Sequence, residues 1–257
     1  MPTAIVTGAS TGIGREFAYE CARDGYDLVL IARSEQQLQS VASDIRSVTG
    51  RTVRVLAKDL SQPQAPQEIF QDLGAVQADV EILINNAGFG LLGRFWELSE
   101  VEQMQMIQVN IAALTHLSRL FLPGFIARKR GHILNVASTA AFQPGPLMAV
   151  YYASKSYVLS FSVALNNEAR EHGVSVTVLC PGPTRTEFVH RAGVGKTKLF
   201  SAGTPMTAAA VAGIGYQAMK RGRPIVVAGG LNALMAFLTR FAPMQFTATM
   251  ARKVQEI

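Results

Sequence analysis

Charge is scarce in this sequence: Asp, Glu, Lys and Arg make up 16% of its 257 residues, against 49% apolar ones. So little charge beside so much core-forming material excludes disorder at any scale. The length suits one large α/β domain or two small ones. Cysteine is almost missing. Cys21 sits in a helical pattern and Cys180 ends an apolar, strand-like run, so both read as buried thiols, not as a disulfide or redox pair. Four histidines (His116, His132, His172, His190) share no ligand spacing, so no metal is expected. Basic clusters are missing as well, although the net charge is +6; only Arg128-Lys129-Arg130 forms a run, and it suits a helix C-terminus better than nucleic acid.

Long hydrophobic runs are also lacking. The most apolar stretch, Ile225 to Phe246, is broken by Gly229, Gly230, Asn232, Arg240 and Pro243, too often for a comfortable transmembrane helix. It reads as a core strand followed by a helix packed on the fold or on another subunit. The sharper alternative is an amphipathic segment at a membrane surface, with Arg240, Arg252 and Lys253 against lipid. No charged segment followed by an apolar one opens the chain; Thr3–Thr7 already reads as a strand, and a cytoplasmic location is the expectation.

What is present is alternation. Strand candidates are Thr3–Thr7, Asp27–Ala32, Thr52–Ala57, Ile82–Asn85, His132–Ala137, Ser175–Leu179 and Ile225–Ala228, mostly continuous Val/Ile/Leu runs that suit strands buried on both faces. Helical patterns such as Ile13–Asp24, Glu35–Val48 and Val150–Glu171 lie between them, with Gly25, Gly50, Gly131 and Gly173 at junctions. Repeated β-α-β units predict a doubly wound Rossmann fold: a parallel, roughly seven-stranded sheet flanked by helices. No linker or repeat divides the chain, so one domain is expected over 1–257. Gly182–Thr204, bearing glycines and lysines, is expected to be a mobile loop.

The first strand meets the first helix through Thr7-Gly8-Ala9-Ser10-Thr11-Gly12-Ile13-Gly14. Glycines there permit a tight turn and let backbone N–H groups approach a pyrophosphate at the helix N-terminus. The same residues fit the G-x-S-x-G nucleophile elbow, but that elbow normally follows several strands and here one precedes it. Gly195-Lys196-Thr197 resembles the end of a P-loop, yet its partner glycine position holds His190. The second strand ends in Ala32-Arg33-Ser34, with a guanidinium where an acidic residue would accept from an NAD ribose; that suits the 2′-phosphate of NADP. NADP(H) is the expected cofactor, with NAD(H) the alternative.

Tyr151 and Lys155 stand four apart at the start of a long helical segment, on one face of it. A nearby ammonium favours phenolate and draws a tyrosine toward the working pH range. Tyr152 has Ser156 at the same offset and lacks this partner. The fifth strand ends at Ser138, whose hydroxyl can hold a substrate oxygen beside the tyrosine; Asn85-Asn86-Ala87-Gly88 ends the fourth strand, and Asn110 lies in a helical stretch.

With these residues in hand, the sequence resembles the short-chain dehydrogenase/reductase family over nearly all of the chain to about Ala228. It carries T-G-x-x-x-G-x-G as Thr7–Gly14, D-L as Asp59-Leu60, N-N-A-G as Asn85–Gly88, then Asn110, Ser138, Tyr151 and Lys155, and P-G-x-x-x-T as Pro181–Thr186. The resemblance implies that Gly8, Ser10, Thr11, Gly12, Ile13 and Gly14 hold the pyrophosphate and adjoining ribose. It places Asp59 and Leu60 beside the adenine, and Asn86, Ala87 and Gly88 along the adenosine side. Lys155 would hold the nicotinamide ribose, and Pro181, Gly182, Thr184 and Thr186 would line the nicotinamide; Thr184 stands where many members carry an aliphatic residue. Ser138 and Tyr151 would bind the carbonyl oxygen, with Tyr151 the acid and a water held near Asn110. Residues 1–180 would mainly bind cofactor and carry the chemistry, and 181–257 supply a substrate loop and C-terminal extension. Homodimers or homotetramers are implied, through helices near Leu114–Arg128 and Val150–Glu171.

The expected substrate wall is Ala140, Ala141, Phe142, Leu147 and Met148, opposite Phe89, Leu91, Leu92 and Phe188. Its apolar character predicts a hydrophobic ketone, alcohol or 3-oxoacyl group in preference to a sugar. Arg185, Arg191, Lys196 and Lys198 would suit a phosphate-bearing carrier. An NAD-linked alcohol or sugar dehydrogenase, and a binding protein without turnover, are the competing readings; Arg33 opposes the first and the complete Asn110, Ser138, Tyr151 and Lys155 set the second.

Overall fold

A computed structural model of the chain describes residues 1–197 and 205–256. The expected strands form β1 (Thr3–Thr7), β2 (Asp27–Ala32), β3 (Val53–Ala57), β4 (Val80–Asn85), β5 (Gly131–Val136) and β6 (Val174–Cys180). A separate two-residue pair, β7 (Thr184–Arg185) with β8 (Met206–Thr207), precedes β9 (Ile225–Val227). The seven long-sheet strands lie in the order β3-β2-β1-β4-β5-β6-β9, every pair parallel. This is the doubly wound Rossmann sheet.

Alternation along β1 builds two cores. All five residues of β1 are buried. Ala4 and Val6 join one apolar cluster with Phe17, Leu38 and Tyr216, while Ile5 joins another with Ile69, Phe121 and Phe125. Successive side chains on a strand point to opposite faces, so each face of the sheet needs its own helices. α1 (Gly12–Arg23), α2 (Glu35–Thr49) and α8 (Ala208–Lys220) cover the first face; α3 (Ala65–Leu73) and α5 (Leu114–Arg128) cover the second, beside α6 (Ala149–Ala169).

Observed boundaries differ from the expected ones by one or two residues, with β4 already paired from Val80 to Thr3. α4 (Glu100–Ile107) runs through a π-helical segment, Gln108–Ala113, into α5. That continuous helix is long and apolar enough to cross a membrane by length and composition; here Leu117, Phe121 and Phe125 pack on the sheet. The expected irregular stretch Gly182–Thr204 contains β7 and α7 (Phe188–Arg191) in its described part. The chain ends in α9 (Gly230–Leu238) and α10 (Met244–Gln255). Strand order reverses between β1 and β4, which opens the crevice at the carboxyl ends of the strands where such sheets bind ligands.

Candidate active site

The loop after β1 reaches α1 through Gly8, whose φ of +65° is left-handed. Thr11 occupies the N-cap position of α1, yet no side chain caps the helix and no acidic residue stands in its first turn. Its leading N–H groups lack side-chain partners and carry the positive end of the helix dipole, so they can receive an anion. Ser10 and Thr11 are half-buried beside them. A Cβ on Gly14 would collide with Gly8 O and Asn86 Nδ2, so loop and helix approach as closely as the backbone permits. Gly12 abuts the Thr186 side chain, which brings the Pro181–Thr186 turn over the same loop. A helix end without a side-chain cap, at a glycine loop flanked by the Ser10, Thr11 and Thr186 hydroxyl side chains, fits a dinucleotide pyrophosphate.

Thr7 holds the neighbouring turn. Its Oγ1 accepts from Asn86 N and Ala87 N, each at 3.0 Å, and Asn86 Nδ2 donates to Thr7 O at 2.9 Å. The Asn86 amide thus braces the phosphate loop. Asp59 Oδ1 accepts from Ser61 N at 3.0 Å and shapes its own turn after β3, while Leu60 is buried in the core. Arg33, at the end of β2, is exposed and makes no hydrogen bond or ion pair among the described residues. Ser34, next to it, accepts from Gln37 N and caps α2.

The π-helical segment presents Asn110. Its Oδ1 accepts from Phe89 N at 3.1 Å, and its Nδ2 donates to Phe89 O and Ser154 Oγ, both at 3.0 Å. A Cβ on Gly88 would lie 3.0 Å from Asn110 Oδ1 and 3.3 Å from Lys155 Nζ, so the three groups adjoin. Lys155 is buried on α6, donates to Val136 O at 2.9 Å, and its Nζ stands 5.7 Å from the centre of the Tyr151 ring. Ser138 Oγ accepts from Ala140 N at 3.1 Å and donates to Pro181 O at 3.5 Å, tying the end of β5 to the turn after β6. Thr184 Oγ1 donates to Gly182 O at 2.9 Å.

Burial pushes the Tyr151 phenol up to about 12, with its hydrogen bond to Ser138 acting the other way, and pushes Lys155 down to about 8. The expected lowering of Tyr151 by the ammonium is therefore not found in the protein alone. Loss of solvent dominates both groups. The site holds a neutral phenol beside a hydroxyl, with a cation behind the ring.

Ala140, Met148, Tyr152, Ala192 and Val194 form one apolar cluster, with Leu92, Tyr151, Phe188 and Val189 against it. Phe142, at the end of a short 3-10 turn, is half-buried against the cluster that holds Ala137, Val158 and Cys180. Leu147 carried no sequence signal beyond apolarity, yet it takes φ +69° and its carbonyl accepts from Gly93 N at 2.9 Å, pinning the 138–151 connection to the opposite lip. Thr7 and Ser154 were likewise missed as bracing residues. Arg185 is exposed on β7; Lys198 and the side chains of Arg191 and Lys196, expected to meet a carrier, lie outside the described residues.

A family model described as short chain dehydrogenase matches residues 2–196. The chain belongs to the short chain dehydrogenase family. This dehydrogenase-family chain is 40% identical over 179 residues to the very-long-chain 3-oxoacyl-CoA reductase of Phaeosphaeria nodorum, covering 67% of this chain and 52% of that one. It spans 52–64% of the length of the curated relatives it matches first. Among solved structures, a short-chain dehydrogenase from Sphingobium yanoikuyae in complex with NADPH superposes with TM-score 0.83 at 31% identity, covering 95% of this chain and 97% of that one. A short-chain dehydrogenase/reductase from Burkholderia phymatum in complex with NAD does so with TM-score 0.83 at 26% identity, covering 100% and 97%.

Proposed function

We propose that this protein is an NADP(H)-dependent oxidoreductase that reduces an apolar ketone, of 3-oxoacyl or comparably bulky type, with Tyr151 as general acid. The observation that carries the reading is convergence. Tyr151, Ser138 and the buried Lys155 meet at the carboxyl ends of β4 to β6, one loop away from an uncapped helix N-terminus. The similarity to a 3-oxoacyl-CoA reductase and to an NADPH complex supports it. The likeness to an NAD complex keeps NAD(H) as the alternative, against which the unengaged Arg33 guanidinium is the argument.

A bound nicotinamide would supply the hydride to the carbonyl carbon. Tyr151 and Ser138 hold the carbonyl oxygen, and the Tyr151 O–H proton passes to that oxygen as the C–O bond gains alkoxide character. A phenol held at about 12 stays protonated until then, and alkoxide is basic enough to take its proton. Lys155 stabilises the phenolate left behind, since an ammonium near a phenolate favours it. Asn110, through Ser154 and Phe89, fixes the helix that carries both groups. The wall of Ala140, Met148, Leu92 and Phe188 selects apolar groups beside the reacting carbon.

Titration with NADPH and NADH, then nicotinamide oxidation against 3-oxoacyl thioesters, cyclic ketones, quinones and sugars, tests this. The expected result is tighter NADPH binding with turnover on a 3-oxoacyl thioester or cyclic ketone, and a Tyr151→Phe variant that binds NADPH equally but loses nearly all turnover. Substantial activity of that variant would move the acid role elsewhere, and no binding of either nucleotide would remove the reading.

A further inference from the structure

The last two helices are packed with their apolar residues outward. α9, Gly230-Leu-Asn-Ala-Leu-Met-Ala-Phe-Leu238, buries only Ala236; Leu231 is 74% exposed, and Leu234, Met235, Phe237 and Leu238 are exposed too. α10 buries Thr247, Ala251 and Gln255, and leaves Met244, Phe246 and Met250 in the open, with Phe241 73% exposed between the helices. A helix packed only for the stability of its own fold turns its apolar stripe to the core. Here the stripe points away, and so large an apolar face marks a contact surface.

Its place and charge say what the surface meets. Asn232 of α9 lies against Gly182, α9 packs on the 139–142 turn, and Gln255 of α10 donates to the Tyr152 hydroxyl, so both helices sit beside the substrate cluster. Between Glu187 and Glu256 the sequence has nine lysines and arginines and no acidic residue. Arg240 and Lys253 are exposed on the same stretch and have no ion-pair partner among the described residues, whereas Arg252 is paired with Glu256 Oε1 at 3.0 Å. Anionic lipid would complement both the cations and the apolar tips.

We propose that α9 and α10 form a peripheral docking surface for an anionic membrane, which turns the substrate mouth toward the bilayer. The substrate route rests on the proposed reduction of apolar ketones; the docking itself does not. The test is co-sedimentation of the full chain with phosphatidylcholine vesicles and with vesicles carrying phosphatidylglycerol. Binding to the anionic vesicles, weakened by salt, is expected. Arg240→Gln with Lys253→Gln should weaken it about thirtyfold, from the ~1 kcal/mol each basic residue gains near such a surface. Leu231→Ser with Phe241→Ser and Phe246→Ser should abolish it while NADPH binding, the far-ultraviolet spectrum and reduction of a water-soluble ketone persist, because all three side chains lie outside the core. The proposal is overturned by absence of vesicle binding, by equal binding to neutral vesicles in high salt, or by a triple variant whose only change is loss of a dimer. Vesicle binding without ketone turnover would remove the proposed activity and leave the docking surface standing.

Discussion

Lys155 shows how the site is held at the scale of a single residue. Its ammonium has Val136 O as a hydrogen-bond acceptor and no carboxylate partner among the described residues, so burial lowers its pKa from 10.5 to about 8. Between those values the unfolded chain carries a proton that the folded one does not, and stability therefore rises with pH across that window. Below pH 8 the cost of the buried charge is roughly 3 kcal/mol, offset by about 1 kcal/mol from the hydrogen bond. Lys155→Met should accordingly raise the melting temperature of the dinucleotide-free protein by several degrees at pH 7. The advantage should shrink steadily from pH 8 to 10.5. Thermal melts of both proteins across pH 6–10 measure this; superimposable curves at pH 7 would mean that the ammonium carries no burial penalty. The same residue explains why the order of Tyr151 and Lys155 was legible in the sequence and their titration was not. Spacing along a helix reports that two side chains share a face, whereas the pKa values depend on water excluded by the helices and turns around them.

Among elements, the strands were legible because β1, β2 and β6 are buried along nearly their whole lengths and so read as unbroken apolar runs. β7 and β8 were not. Two residues carry no period, and their pairing joins positions over twenty apart. The π-helical segment around Asn110 follows from packing, not composition, and apolarity alone does not say which cluster the Phe142 ring packs against. The glycine loop was legible in kind but not in tightness. At Gly14 a Cβ would strike Gly8 O and Asn86 Nδ2, both rigidly held, whereas at Gly213, inside α8, nothing lies within 4 Å of one. Gly14→Ala should weaken NADPH binding by roughly tenfold to a hundredfold, the effect of an overpacking strain of about 1–3 kcal/mol placed on the phosphate donors. Gly213→Ala should leave binding unchanged and raise stability by about 0.5–1 kcal/mol, as alanine does in a helix interior. Fluorescence titration and urea unfolding of the pair separate the two effects, and an unaffected affinity in Gly14→Ala would remove the loop from the dinucleotide site.

For the whole molecule, site and stability are linked, since a ligand that binds only the folded chain stabilises all of it. The crevice draws on β1, β4, β5 and β6, and the turn after β6 packs back on the phosphate loop at Gly12. A dinucleotide there would join strands from both halves of the sheet. At a hundred times its dissociation constant NADPH should contribute about 2.7 kcal/mol, which for a domain of this size raises the melting temperature by about 5–10 °C. If the exposed Arg33 reads the 2′-phosphate, Arg33→Ala loses a charge-assisted contact of roughly 1.5–3 kcal/mol. The NADPH-induced rise at the same concentration should then fall to about half or less, because the affinity drops about tenfold to a hundredfold. The rise with NADH should stay as it was, since that nucleotide has no 2′-phosphate for the guanidinium to meet. A parallel loss with both nucleotides would instead mean that Arg33 supports the fold of the loop, and an undiminished rise with NADPH would assign the phosphate to another residue.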